Sequence, residues 1–214
     1  MNSLSWTLAG VALAIAVVDW WATWLGRTSV RYVAKPGALV ALIGVAVTLD
    51  PSVSPTIRAW MVAGLVLSLA GDVFLMLDEK WFVAGLASFL FGHLAYVVGL
   101  QLAPTSVAAS LLGLAIVLAA VATVGRKIVS GVAAGDQRDM VPPVIAYLVV
   151  ISIMVVSAFG TQAAWAVVGA SLFYASDATL AWNRFLQPRR FGHLGVMVTY
   201  HLGQAGLVAW LVTG

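Results

Sequence analysis

Residues 59–77 read AWMVAGLVLSLAGDVFLML, an apolar stretch in which Asp72 is the one charged residue. A stretch of this length suits a helix that crosses a bilayer, because the hydrocarbon core requires about 20 mainly apolar residues. A carboxyl group at membrane depth costs several kcal/mol unless it faces a protein interior or a wet cavity. Asp72 is therefore a candidate functional residue.

A second embedded acid stands in the same setting. The pattern Gly-x-x-Leu-x-x-Ala-x-Asp-x-x-Leu begins at Gly64 and again at Gly169, an offset of 105 residues, and its second acid is Asp177. The two copies lie in the third and seventh predicted spans, so both helices run in the same direction. We therefore predict a parallel four-plus-four internal repeat and one site shared by Asp72 and Asp177.

The composition indicates an integral membrane protein. The chain is 62% hydrophobic and 9% charged, with a mean hydropathy of +1.02, which is too little polar surface for a soluble globule. The sequence has no cysteine, so disulfides and thiolate metal ligands are excluded. Its net charge of +3 is small and follows from topology, and we predict no nucleic-acid partner.

The fold class is all-α, and we predict a single domain, residues 1–214, that forms a bundle of eight transmembrane helices. The spans cover roughly residues 4–25, 34–49, 58–77, 82–100, 106–124, 141–159, 163–182 and 193–212. The first segment has no basic stretch before its apolar run and carries Asp19, so we predict a retained span rather than a signal peptide.

Basic residues orient this bundle by the positive-inside rule. They lie in every second connection, at Arg27, Arg31, Lys35, Lys80, Arg126, Lys127, Arg138, Arg184, Arg189 and Arg190, whereas Arg58 lies on the other side. We therefore predict that these connections are cytoplasmic and that both termini are non-cytoplasmic. In a bacterium, the protein is expected in the cytoplasmic membrane.

Embedded polar residues lie mainly in the cytoplasmic half of the spans. Asp72 lies six residues before Asp78, and Asp177 lies seven before Arg184, which places both acids about 10 Å below the loop charges. Lys35 opens the second predicted span on the same side. This one-sided distribution predicts a cavity that opens toward the cytoplasmic leaflet.

Several short motifs occur in order along the spans. They are Lys35-Pro36; Leu69-Ala70-Gly71-Asp72 with Leu75; residues 85–96, GLASFLFGHLAY; Tyr147; residues 169–173, GASLF, with Ser176-Asp177; and residues 199–204, TYHLGQ. In this order and in these spans, the motifs resemble the YhhN-type lysoplasmalogenases over nearly the whole chain.

The resemblance implies a membrane hydrolase that cleaves the vinyl ether of a lysoplasmalogen, a lysophospholipid, to a fatty aldehyde and glycerophosphoethanolamine or glycerophosphocholine. Protonation of the distal alkene carbon would give an oxocarbenium ion, to which water adds. Two carboxyls in different protonation states supply the acid, the charge stabiliser and the base for such chemistry. We therefore assign Asp72 and Asp177 as the catalytic pair, with no cofactor or metal and with surrounding membrane lipid as the other partner.

Further polar residues are weaker candidates for substrate contact. They are Lys35, His93, Tyr96, Tyr147, Tyr200, His201, Gln204 and Asp19. Lys35 either holds the lipid phosphate or serves as a topology signal that extends to the interface. The pairs His93 with Tyr96 and Tyr200 with Gln204 each share a helix face, where interhelical hydrogen bonds are an equal alternative.

Two other classes of membrane protein also place acids inside spans. A proton-coupled transporter would use Asp72 and Asp177 as a relay, but the repeat is parallel and no span has a Gly/Pro-interrupted centre. An intramembrane aspartyl protease would need Gly-x-Gly-Asp, but Ala70 stands two residues before Asp72. A structural scaffold is the remaining alternative.

Overall fold

The computed structural model describes residues 2–213, and the regular structure of that range consists of eight long helices and two short 3₁₀ helices, with no strand. They are α1 (Ser3–Trp24), α2 (Thr28–Thr48), α3 (Pro55–Met76), α4 (Phe82–Gln101), α5 (Val107–Ala134), α6 (Val141–Gly160), α7 (Ala164–Phe185) and α8 (Gly192–Trp210). The all-α prediction is confirmed.

The helices expose apolar side chains on the outside of the bundle. Leu111, Leu112 and Leu118 of α5 each keep more than half of their surface exposed, at 59%, 57% and 58%. Six helices, α1 to α6, are long and apolar enough to cross a membrane. Polar side chains lower the mean hydropathy of α7 and α8, which carry Asp177 and Gln204. The chain is an integral membrane protein.

Two helices are longer than the apolar runs that predicted them. α2 begins at Thr28, six residues before the predicted start, and α5 continues ten residues past the predicted end at 124. In α5 the backbone passes through a π-helical stretch at Val121–Gly125 and then resumes α-helical hydrogen bonds. Backbone hydrogen bonding continues where hydropathy stops, so Lys35 lies inside α2, seven residues after its first residue.

Neighbouring helices form antiparallel pairs, and the most extensive contacts join α1 to α2, α3 to α4, and α7 to α8. The matched glycines of the repeat lie at two of these crossings. A Cβ atom on Gly64 would collide with the ring of Tyr96, and one on Gly169 would lie 2.6 Å from the backbone nitrogen of Leu207. Both copies of the pattern therefore need glycine for a close helix–helix approach.

Aromatic side chains fill the centre of the bundle between the α3–α4 pair and the α7–α8 pair. The ring centroid of Phe173 in α7 lies 5.3 Å from that of Tyr200 in α8 and 6.3 Å from that of Phe89 in α4. Phe173 is fully buried, and its ring packs edge-on against both neighbours. This cluster joins α4, α7 and α8, and Gly71 of α3 packs against the ring of Phe89.

Candidate active site

Asp72 is buried and has two polar contacts, one from each of two other helices. Lys35 Nζ of α2 lies 2.9 Å from Asp72 Oδ1, and the Tyr200 hydroxyl of α8 donates to Oδ2 at 2.7 Å. The Lys35 side chain is 8% exposed and that of Asp72 is 1% exposed. Lys35 is thus a buried ion-pair partner, and the alternative of an interfacial lysine does not hold.

Asp177 has a different environment. The Tyr147 hydroxyl of α6 donates to Asp177 Oδ2 at 2.5 Å, and His93 Nε2 of α4 lies 3.7 Å from the same oxygen. Among the described residues, no lysine or arginine nitrogen lies within 4.0 Å of this carboxyl group. The two acids therefore differ in their partners, since one has an ammonium group and the other a phenol and an imidazole.

The two carboxyl groups line one cavity of about 410 Å³, which also contacts Lys35, Tyr200 and Phe89. Its remaining polar lining includes Arg31 and Arg184. Arg31 lies in the first turn of α2 and Arg184 in the last turn of α7, so the cavity extends from the embedded acids toward the face of the bundle that carries the basic charge. The structure thus brings Asp72 and Asp177 to a common space.

A second, apolar cavity adjoins the first at Asp177. Asp177 and Tyr147 are among its few polar lining residues, whereas Ile128, Leu148 and Ile151 contribute hydrocarbon from α5 and α6. The two cavities share several lining residues, which are Leu75, Phe82, Phe89, Asp177, Leu180 and Arg184. Asp177 therefore lies at the boundary between a polar and an apolar compartment.

Tyr96 and Gln204 contribute to packing rather than to this cavity. The Tyr96 hydroxyl donates to Gln204 Oε1 at 2.6 Å, and both side chains are fully buried between α4 and α8. Of the two alternatives that the sequence left open, the interhelical hydrogen bond is the one observed.

His201 and Asp19 also lie apart from the paired acids. His201 Nδ1 accepts a hydrogen bond from Trp20 Nε1 at 3.0 Å, and its ring lines a separate apolar cavity between α1, α2 and α8. Asp19 lies 3.8 Å from Arg31 Nε and is fully buried. Neither side chain lines the cavity of Asp72 and Asp177, although Arg31, which lies beside Asp19, does line it.

Several lining residues were absent from the sequence-based set. Arg31, Tyr32, Arg184, Glu79 and His193 all line the polar cavity. The sequence analysis interpreted Arg31 and Arg184 only as topology signals, and in the structure Arg184 forms an ion pair with Glu79. The sequence did hold one signal for Arg31: it precedes Lys35 by four residues, so the two side chains share a helix face.

The described residues 2–213 contain no group of three or more His, Asp and Glu side chains arranged to hold a metal ion. His93 lies near Asp177, and His201 is bonded to Trp20. The groups beside the two carboxyls are the Lys35 ammonium group, the phenols of Tyr147 and Tyr200, and the imidazole of His93.

Comparison with known proteins places these features in a family. Residues 30–211 match the model of the YhhN family. Human lysoplasmalogenase TMEM86B is 37% identical over 142 residues, covering 65% of this chain and 58% of that protein. The mouse lysoplasmalogenase TMEM86B is 33% identical over 152 residues, covering 70% of this chain and 62% of that protein.

A bacterial relative is similar over a comparable range. A lysoplasmalogenase of Mycobacterium tuberculosis is 34% identical over 138 residues, which cover 60% of this chain and 51% of that protein. The chain thus spans between about half and three fifths of the length of these curated relatives. No solved structure matches it.

Proposed function

The chain belongs to the YhhN family, and from that premise we propose that it is a lysoplasmalogenase, an enzyme that hydrolyses the vinyl ether bond of a lysoplasmalogen. The single observation that supports this best is the position of the acids. Asp72 and Asp177 share a polar cavity, and Asp177 also borders an apolar one. A lysophospholipid has the matching form, with a polar head, a reactive bond and an apolar tail.

The proposed pose follows from the two compartments. The head group and glycerol lie in the polar cavity, and the hydrocarbon tail lies in the apolar cavity among Leu148, Ile151 and Ile128. The vinyl ether stands where the two meet, beside Asp177. The tail is thereby transferred between two apolar environments, the bilayer and the protein, at little cost.

We assign the first proton transfer to Asp177. Asp72 is paired with the Lys35 ammonium group and acts as a carboxylate, whereas Asp177 borders the apolar cavity and, among the described residues, has no lysine or arginine nitrogen within 4.0 Å. Asp177 protonates the distal alkene carbon, and the electron pair of the ether oxygen forms an oxocarbenium ion. The Asp72 carboxylate stabilises that cation as it develops.

Water completes the reaction. Asp177, now a carboxylate, takes a proton from the water molecule that adds to the oxocarbenium carbon, so the acid of the first step becomes the base of the second. The resulting hemiacetal collapses to a fatty aldehyde and a free glycerol hydroxyl. One water is consumed and no electron is transferred. Glycoside hydrolysis through a similar cation also uses two carboxyl groups.

The test compares two lipids that differ in one bond. Purified protein should release aldehyde from a lysoplasmalogen and leave the saturated ether analogue intact, because only the alkene can be protonated at carbon. The saturated lipid should inhibit competitively with a dissociation constant near that of the substrate, since it keeps the same head and tail contacts. Solute uptake driven by a proton gradient, with no aldehyde from either lipid, would support the transporter alternative instead.

Tyr147 positions the proposed acid, and its hydroxyl group can be removed with little change in the shape of the side chain. Tyr147→Phe should lower kcat by roughly tenfold or more with little change in KM, because hydrogen bonds to charged groups contribute about 1.5–3 kcal/mol. Steady-state kinetics of aldehyde release measure both constants. Tyr96→Phe is the matched control, since it removes a buried hydroxyl group that donates to Gln204 rather than to an acid. Equal loss in both variants would argue against a specific role for Tyr147.

We further propose that all eight long helices cross the membrane as one domain, with the cavity and the basic connections on the cytoplasmic side and both termini outside. The lower hydropathy of α7 and α8 is compatible with this, because polar side chains such as Gln204 and Tyr200 of α8 and Ser176 of α7 are buried inside the bundle. In a bacterium, this topology places the protein in the cytoplasmic membrane. The repeated Gly64 and Gly169 contacts support the parallel repeat.

A further inference from the structure

One cation of the polar cavity has no role in the proposed reaction. Arg31 lines the cavity together with Lys35 and Asp72. It precedes Lys35 by four residues on α2, so the two side chains are neighbours on one helix face with Cβ atoms about 5–6 Å apart. Arg31 is thus the next cation beyond the ion pair of Lys35 and Asp72.

The other two cations of this cavity are in direct contact with an acid, whereas Arg31 Nε lies 3.8 Å from Asp19 Oδ1, beyond hydrogen-bond distance. Lys35 is neutralised by Asp72 at 2.9 Å, and Arg184 forms an ion pair with Glu79. Binding of an anion by Lys35 would compete directly with the catalytic carboxylate. The phosphate role that the sequence suggested for Lys35 therefore does not fit its position.

Asp19 holds the inner side of Arg31. Asp19 Oδ1 lies 3.8 Å from Arg31 Nε, and the Asp19 side chain is fully buried, whereas the Arg31 side chain keeps 30% of its surface exposed. The Nε atom itself is buried. Beyond Nε, the two terminal nitrogens of the guanidinium group form the fork that binds phosphate oxygens bidentately.

We infer that Arg31 is the phosphate subsite of the lysophospholipid substrate, with Asp19 as the residue that positions it. This inference rests on the proposed function. A phosphate at Arg31 and a vinyl ether at the acids are separated by the glycerol backbone of the lipid, and Arg31, Asp72 and Asp177 all line the one cavity that would hold that backbone.

Binding of uncleavable lipids tests the subsite without any chemistry. The probes are a saturated ether lysophosphoethanolamine and the corresponding alkylglycerol, which has the same tail and no phosphate. Arg31→Gln should weaken binding of the phospholipid about tenfold or more, because it removes charge-assisted hydrogen bonds, and should leave the alkylglycerol unchanged. Arg31→Lys keeps a cation beside Asp19 but lacks the fork, so its loss should be smaller. Arg27→Gln, at an exposed arginine outside the cavity, is the matched control.

The outcomes separate this inference from the proposed function. Equal weakening of both lipids, or no weakening of the phospholipid, would overturn the phosphate subsite. Displacement of the lipid by inorganic phosphate at a comparable concentration would assign Arg31 to a free anion and also overturn it. If the wild-type protein shows the phosphate-dependent difference but releases no aldehyde from a lysoplasmalogen, the subsite stands and the proposed reaction fails.

Discussion

Replacing Asp72 or Asp177 with asparagine should lower the rate of aldehyde release from a lysoplasmalogen by roughly a hundredfold or more, the usual contribution of a positioned acid or base. Asparagine keeps the shape of each side chain and can still accept the hydrogen bonds from Tyr200 and Tyr147. It cannot donate a proton to carbon or carry a negative charge. The measurement is turnover per folded molecule, with the folded amount determined by size-exclusion chromatography.

The double variant and a surface control complete this experiment. Because the two acids act as one unit, Asp72→Asn with Asp177→Asn should be little slower than either single variant. Asp139→Asn, at an exposed acid in the connection before α6, should keep wild-type turnover. Near-normal rates in both single variants would refute the catalytic pair, and a double variant that is much slower would indicate two independent roles.

Replacing Lys35 with methionine should destabilise the protein by about 3–5 kcal/mol, the usual cost of removing one partner from a buried ion pair. Methionine is close to lysine in length, so the effect reports the lost charge at 2.9 Å from Asp72 Oδ1. The carboxyl group must then remain unpaired or take up a proton, and either change removes its role as charge stabiliser. The free energy of unfolding in mixed detergent measures the first effect, and aldehyde release measures the second.

A second substitution distinguishes stability from catalysis. Lys35→Met together with Asp72→Asn removes both charges, so it should recover most of the lost stability and none of the activity. Lys80→Met is the control, since the Lys80 side chain is 71% exposed and its loss should change stability by less than about 0.5 kcal/mol. A fully stable Lys35→Met variant would show that Asp72 is not held as a buried carboxylate.

The helical class and the embedded acids were predictable because both depend on local sequence. An apolar run long enough to cross a bilayer is visible in residues 59–77, and a charged residue within it is conspicuous because its burial is costly. The repeated pattern also predicted one site shared by Asp72 and Asp177, and both acids line a common cavity. The family resemblance, which depended on motif order, is confirmed by the match over residues 30–211.

The partners of each side chain were not predictable, and the tertiary structure alone decided them. Lys35 pairs with Asp72 rather than with Asp19, and His201 bonds Trp20 rather than an acid. These outcomes depend on how far each helix is rotated and where it crosses its neighbours, and hydropathy encodes neither. The sequence determined which polar groups lie inside apolar helices, because the free-energy cost of burying such a group depends on that residue and its local sequence. The structure determined how the cost is offset, because pairing requires two helices in a particular register.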